Sequence, residues 1–291
     1  MMRDIRITQT LILIFGLSLA GMAGAQAPLW LGDWYPSIDV QVTADNNVNR
    51  SFDGDGEKSD LIIEPALRIE RQTPMAAGLV GYFAGTVHGE IHGRYNKLNF
   101  VAPGVDTGLR QQLGDSPSAP ILTGGIRLHY EFHNQDPRFG AEIRPRLGVS
   151  VDIGGIFVGD LFYEYDNRFA SENPVYDRKG HAVGFEGDVF LTEQTAVTLG
   201  YVYRRGDVIV HQPRQDLGME IRGERFPIDT FRERYDAVNL SDGDTHTISL
   251  GVRHDLSLYT TVRVGFVYEE IRADGDSYPS QQFVLGVSHL L

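Results

Sequence analysis

Period-two alternation dominates the chain. From Leu122 to His133, Leu122, Gly124, Ile126, Leu128, Tyr130 and Phe132 take one side and Thr123, Gly125, Arg127, His129, Glu131 and His133 the other. From Phe139 to Ile153, one side carries Phe139, Ala141, Ile143, Leu147, Val149 and Val151, and the other Glu142, Arg144, Arg146, Ser150 and Asp152. Alternate side chains of a strand point to opposite faces, so each stretch predicts a strand with one greasy and one charged face. The same reading predicts strands over 34–43, 60–70, 77–95, 121–133, 139–152, 155–166, 180–191, 195–210, 245–255, 258–271 and 281–291.

Two architectures produce such strands: a soluble sandwich with the apolar face inward, and a membrane barrel with the apolar face on lipid. Length separates them. Sandwich strands run about 5–6 residues, whereas these run about 10–15, near the ~9–11 tilted residues that cross a bilayer. Tyr95, Tyr130, Tyr163, Tyr165, Tyr203 and Tyr268 flank the apolar faces as an interfacial girdle would. Short turns at 71–75, 192–194 and near Ser257 alternate with long polar connections at 44–59, 97–120, 211–243 and 273–279. The expectation is an all-β, transmembrane antiparallel up-and-down β-barrel. Eleven segments are one short of the even number that returns both ends to one side. Either 77–95 folds back at Gly85 or 211–243 hides a strand at 218–223. Twelve strands are expected, with ten as the alternative.

The N-terminus adds an address. Arg3 and Arg6 precede an apolar run from Thr10 to Ala20, and small residues follow. This predicts a signal peptide over 1–25, cleaved after Ala25, and a barrel domain over 26–291. The 291-residue chain has no cysteine, which excludes disulfides, thiolate metal sites and cysteine nucleophiles. A net charge of −13 argues against nucleic acid as a partner. With its strand pattern, the chain resembles Gram-negative outer-membrane β-barrel proteins of the porin-like kind, although Leu291 stands where such proteins often end in an aromatic. The resemblance implies the outer membrane as location. It also implies outer-membrane lipid, lipopolysaccharide, the barrel-assembly machinery and small hydrophilic solutes as partners.

In a barrel, the charged face becomes the lumen. It collects Glu64, Arg68, Glu90, Arg94, Arg127, Glu131, Glu142, Arg144, Arg146, Glu164, Glu186, Asp188, Arg204, Arg253 and Arg263. Interspersed signs either pair and plug the bore or line a narrow aqueous passage. The leading expectation is a porin-like channel for passive diffusion; the alternative is a plugged envelope scaffold acting through its external loops. A rim-located lipid-modifying enzyme is the third reading. No catalytic residue is assigned: Ser288 and His289 are adjacent, so on a strand they point to opposite faces and cannot pair directly, and no nucleophile elbow occurs. No cofactor is expected beyond a divalent cation. His88, Glu90 and His92 share one strand face, as do His129, Glu131 and His133, and on paired strands these would offer transition-metal ligands. Three Asp-Gly-Asp tripeptides (Asp53 and Asp55, Asp242 and Asp244, Asp274 and Asp276) are calcium candidates that double as turn formers. The segment 214–234 carries Arg222, Glu224, Arg225, Arg232, Glu233 and Arg234, and is either a constriction loop or a solvated one.

Overall fold

The computed structural model describes residues 34–51, 57–134, 138–213, 224–231 and 235–291. The signal peptide expected over 1–25 lies outside them. The described chain is almost entirely strand: β1 Trp34–Asp45, β2 Asp60–Ala76, β3 Leu79–His92, β4 Phe100–Gln112, β5 Ile121–His133, β6 Gly140–Ile153, β7 Phe157–Ala170, β8 Arg178–Phe190, β9 Thr195–Pro213, β10 Glu224–Ile228, β11 Tyr235–Asp255, β12 Thr260–Ala273 and β13 Asp276–Leu290. Each barrel strand pairs antiparallel with the next, and β9 pairs with β11. The ladder closes between β1 and β13, from Ser37 opposite Leu290 to Asp45 opposite Gln282. Twelve strands form the wall; β10 is an additional strand hydrogen-bonded to the far end of β11.

The expected orientation holds. Leu147, Leu161, Leu250, Val264 and Phe283 all project outward and are more than half exposed. Their strand neighbours of opposite parity, such as Arg146, Asp160, Gly251, Arg263 and Gln282, face the lumen. A water-soluble protein rarely shows a continuous apolar surface of this extent, whereas a barrel wall in lipid requires one. Tyr163 and Tyr201 stand outward among these residues, each hydrogen-bonded to a neighbouring imidazole, His181 at 2.7 Å and His246 at 2.9 Å. Tyr95 departs from the expected girdle: it is buried in a cluster at the barrel mouth.

The missing strand is β4, inside the segment expected to be a long loop over 97–120. Its outward face, Val101, Pro103, Val105, Thr107 and Leu109, alternates as the others do. Its inward face is Ala102, Gly104, Asp106 and Gly108 because neighbouring strands fill that space. A Cβ on Gly104 would lie 2.1 Å from the His129 ring, and one on Gly108 2.7 Å from the Tyr82 hydroxyl. Of the two proposed repairs of the strand count, the fold-back at Gly85 does not occur. β3 is continuous through Gly85, and 218–223 lies outside the described residues.

One rim holds the turns after β2, β4, β6, β8 and β11, together with the start of β1 and the end of β13. The other holds the longer connections and the β12–β13 turn. That last connection, expected to be long over 273–279, is a two-residue hairpin. Ala273 pairs with Asp276, and Asp274 and Gly275 take φ of 57° and 92°, as such a hairpin demands. The segment 211–243 is also more ordered than expected. β9 and β11 continue as a ribbon beyond the last pairing of β8 with β9, Gly180 opposite Gly206. There the backbones come so close that a Cβ on Gly206 would meet the Lys179 carbonyl oxygen at 2.2 Å. The register shifts between Leu240 and Gly243, where the ribbon leaves the wall.

Placing arginine on the lipid face tests the orientation. Leu147→Arg, near the middle of β6, is expected to destabilise the folded barrel by about 2–4 kcal/mol. Urea titration of reversible folding in lipid vesicles reads this; a change within error would contradict it.

Candidate functional site

The lumen of a twelve-strand barrel is narrow, and here ion pairs link nearby strands along its inner wall. Glu142 is buried and accepts from Arg144 at 2.8 Å and Arg178 at 2.7 Å. Asp166, also buried, takes both arms of Arg204 at 2.9 Å and the Nε of Arg178 at 3.2 Å. Arg68 bridges Glu70 and Asp106, at 2.5 and 2.8 Å. Arg146 donates to Asp160 at 2.7 Å and lies 3.8 Å from the Phe162 ring centroid. Arg253 reaches Asp188 at 2.6 Å and Arg263 reaches Asp39 at 3.1 Å. Glu64 accepts from Gln41 and Thr43, at 3.1 and 2.5 Å, and Glu164 and Glu186 share the inward face of their strands. Carboxylates and guanidiniums meet from different strands because closure turns every polar face to one axis.

Of the expected lumen residues, Arg94 alone lies elsewhere. It follows the end of β3 and donates to Ser59 at the rim.

Among the described residues, two cavities lie inside the wall. The upper, of about 390 Å³, is bounded by Arg50, Glu64, His92, Glu131, Arg138 and His211. The lower, of about 560 Å³, is bounded by Arg68, Thr86, His88, Arg127, His129 and Arg144. Glu90, Phe100, Glu131 and Arg178 belong to both walls.

Above the upper cavity the long connections close the mouth. Tyr95 and Leu98 after β3, Val175 and Tyr176 after β7, and Ile228, Phe231, Tyr235 and Ala237 of the β10–β11 segment form one buried apolar cluster. Polar contacts fasten it. Asn239 donates to the Asp177 carbonyl at 2.7 Å, Arg138 to Thr230 at 3.3 Å, and Lys97 pairs with Asp229. The other face of the ribbon, with Val208, Val210, Val238 and Leu240, packs on Ile271, Ala273 and Tyr278 of the inner wall. No local motif signals this cap, since its members are distant in sequence. The described part of 214–234, residues 224–231, therefore folds across the mouth; Arg222, Arg232, Glu233 and Arg234 lie outside the described residues.

His211 looks down from the ribbon. Burial, reinforced by the Arg138 guanidinium, holds it at about 3, far below an ordinary imidazole. It is therefore neutral, with Nδ1 facing the Asn49 carbonyl at 3.3 Å and Nε2 facing Arg138 at 3.4 Å. That geometry suits an Nδ1–H tautomer. In the β1–β2 connection, burial of Arg50 works against its charge. Glu269 and Asp45 more than offset this and hold its guanidinium above the ordinary value.

The expected histidine sites are rearranged. β3 and β5 are not adjacent; β4 lies between them. His88 and His129 approach across Gly104, with ring centroids 4.7 Å apart. His92 instead contacts Asp60 at 3.0 Å and Glu90 at 3.2 Å, and His133 contacts Glu131 at 3.1 Å. Among the described residues, no three His, Asp or Glu side chains converge as a metal site. Of the Asp-Gly-Asp tripeptides, Asp274 opens the β12–β13 turn and Asp276 pairs in it. Asp242, at φ 58°, sits at the β11 irregularity, and Asp244 accepts from Tyr203 at 2.6 Å. Asp53 and Asp55 lie outside the described residues. Ser288 meets Asp39 in the lumen, while His289 contacts Thr260 at 2.8 Å.

The chain matches no protein-family model, and no curated protein matches it in sequence. It is similar to solved structures of outer-membrane channels. The crystal structure of an outer membrane channel from Pseudomonas putida F1 aligns with a TM-score of 0.57 at 11% identity, over 93% of this chain and 98% of that one. The NanC porin aligns at 0.48 and 12% identity, over 87% and 100%. The likeness is one of fold: a closed antiparallel β-barrel of the outer-membrane kind.

The buried carboxylate of Asp166 is expected to hold the arginines of β8 and β9 in place. Asp166→Ala leaves two guanidiniums without it and should cost about 3 kcal/mol. The urea midpoint in vesicles would fall accordingly, and an unchanged midpoint would contradict the assignment.

Proposed function

We propose that this protein is a narrow channel in the outer membrane of a Gram-negative bacterium, passing small hydrophilic solutes by passive diffusion. One observation carries the reading: a closed wall that is apolar on the lipid side encloses water-sized space lined by ionised groups. Ions and polar solutes find hydrogen-bonding partners there that the membrane lacks. The turn rim would face the periplasm and the capped rim the exterior. Outer-membrane lipid and lipopolysaccharide would then surround the wall, and the barrel-assembly machinery would insert it.

The apolar cap favours a second reading, a barrel closed in its resting state that acts through its external loops. Planar-bilayer recording of refolded protein separates the two. The channel reading predicts small discrete current steps from the native chain, larger in Phe231→Ala, which truncates a cap residue that is 2% exposed. Silence from both would establish the plugged scaffold.

Acid should loosen the cap. His211 is held at about 3 in the folded state, against about 6.5 when unfolded. The stability contributed by keeping it neutral is present above about pH 6.5 and is lost as pH falls toward 3. Conductance recorded from pH 7 to pH 4 should rise in the native chain and change less in His211→Gln; identical profiles would contradict the assignment.

A further inference from the structure

We propose that the lumen holds a binding subsite for a small organic anion, a mono- or dicarboxylate, centred on Arg127 and Arg144. The inference rests on the channel reading for the solute's path, but binding does not require passage.

The carrying observation is a like-charge pair. Arg127 of β5 and Arg144 of β6 are directly opposite in the ladder, on the lumen face. Arg146 follows two residues on, on that same face. Directly opposed like charges destabilise a sheet unless something neutralises them. The protein's own carboxylates do so incompletely. Glu142 is shared between Arg144 and Arg178, and Asp160 is engaged by Arg146. The carboxylate that Arg127 meets, Asp106, stands 3.9 Å away and is already held by Arg68 at 2.8 Å.

The surrounding chamber of about 560 Å³ has unfilled hydrogen-bonding groups able to donate to an anion. Thr86 Oγ1, His129 Nε2 and Arg144 Nε are buried without a protein partner. The acids of the wall are occupied. Asp39 takes Arg263 and Ser288, Glu131 takes Arg168 and His133, and Glu90 takes His92. A cation would find no open carboxylate cage, and a neutral solute would leave the arginine pair as it is. A carboxylate matches a guanidinium fork with two parallel hydrogen bonds. The ring faces of His88, His129 and Phe100, with centroids 4.7 and 5.7 Å apart, would lie along its carbon skeleton. A site that breaks a local rule of sheet pairing, with only partial compensation from the chain, is where function is expected.

Calorimetry on refolded protein in detergent tests this with succinate, and with succinamide as its uncharged counterpart. Folding of each variant is checked by heat-modifiable gel migration. The native chain should bind succinate saturably and succinamide not at all. Arg127→Gln should weaken succinate at least about tenfold, the loss of one charge-assisted interaction. Arg272→Gln, at an exposed arginine outside the lumen that pairs with Glu270, should leave affinity unchanged. If Arg127→Gln does not fold, Thr86→Val serves, with a weakening of about threefold or more expected. Absence of succinate binding, equal binding of succinamide, or equal affinity in the Arg127 and native proteins would overturn the subsite. Arg127-dependent binding in a barrel that carries no current would keep the subsite and remove the channel. Current without succinate binding would do the reverse.

Discussion

Every amide placed in lipid must find its partner within the protein, because the bilayer core offers none. In this chain the β1–β13 seam meets that requirement. Pairing from Ser37–Leu290 to Asp45–Gln282 leaves the wall without an open edge. Once the backbone is satisfied by the ladder, the side chains are free to invert the usual order, and leucine, valine and phenylalanine meet lipid while arginine and carboxylates meet each other. The even count of wall strands follows from the same closure, since it returns the start of β1 and the end of β13 to one rim.

Inversion concentrates charge in a small bore, and the lumen answers by pairing. Asp166, Glu142 and Asp106 each accept from guanidiniums of other strands, so the interior is a cross-braced network. At the opposite extreme the mouth is closed by apolar contact. Residues from several connections pack around Phe231 and Tyr235, and the ribbon of β9 and β11 reaches inward because Gly180, Gly206 and Gly243 let it leave the wall. Between brace and cap lie the two cavities. The directly opposed guanidiniums of Arg127 and Arg144 bound the lower one.

The wall was legible in the sequence wherever both faces of a strand spoke. β5 and β6 alternate so regularly that their orientation follows from reading alone. β4 did not, for a reason found only in three dimensions. Ala102, Gly104 and Gly108 are among its inward positions because Tyr82 and His129 from its neighbours occupy the volume, so little of the polar half of the alternation remains beyond Asp106. That omission in turn made β3 and β5 look adjacent and brought their histidines together on paper. The lumen residues were legible as a set, since parity alone assigns them, with Arg94 displaced because it lies past its strand's end. Their partners were not, because register decides which charge opposes which. The cap could not be read at all: Tyr95, Val175 and Phe231 are far apart in the chain and gain meaning from closure.

The claim on which all of this depends is which face of each strand meets lipid. The chain contains no cysteine, so single cysteines introduced one at a time along β6, from position 143 to 151, give a clean background for spin labels in a reconstituted barrel. The account predicts that oxygen, which partitions into lipid, relaxes labels at 143, 145, 147, 149 and 151, while a water-soluble nickel chelate reaches the alternate positions at least as well as oxygen does. A reversed pattern, or one with no period of two, would contradict it.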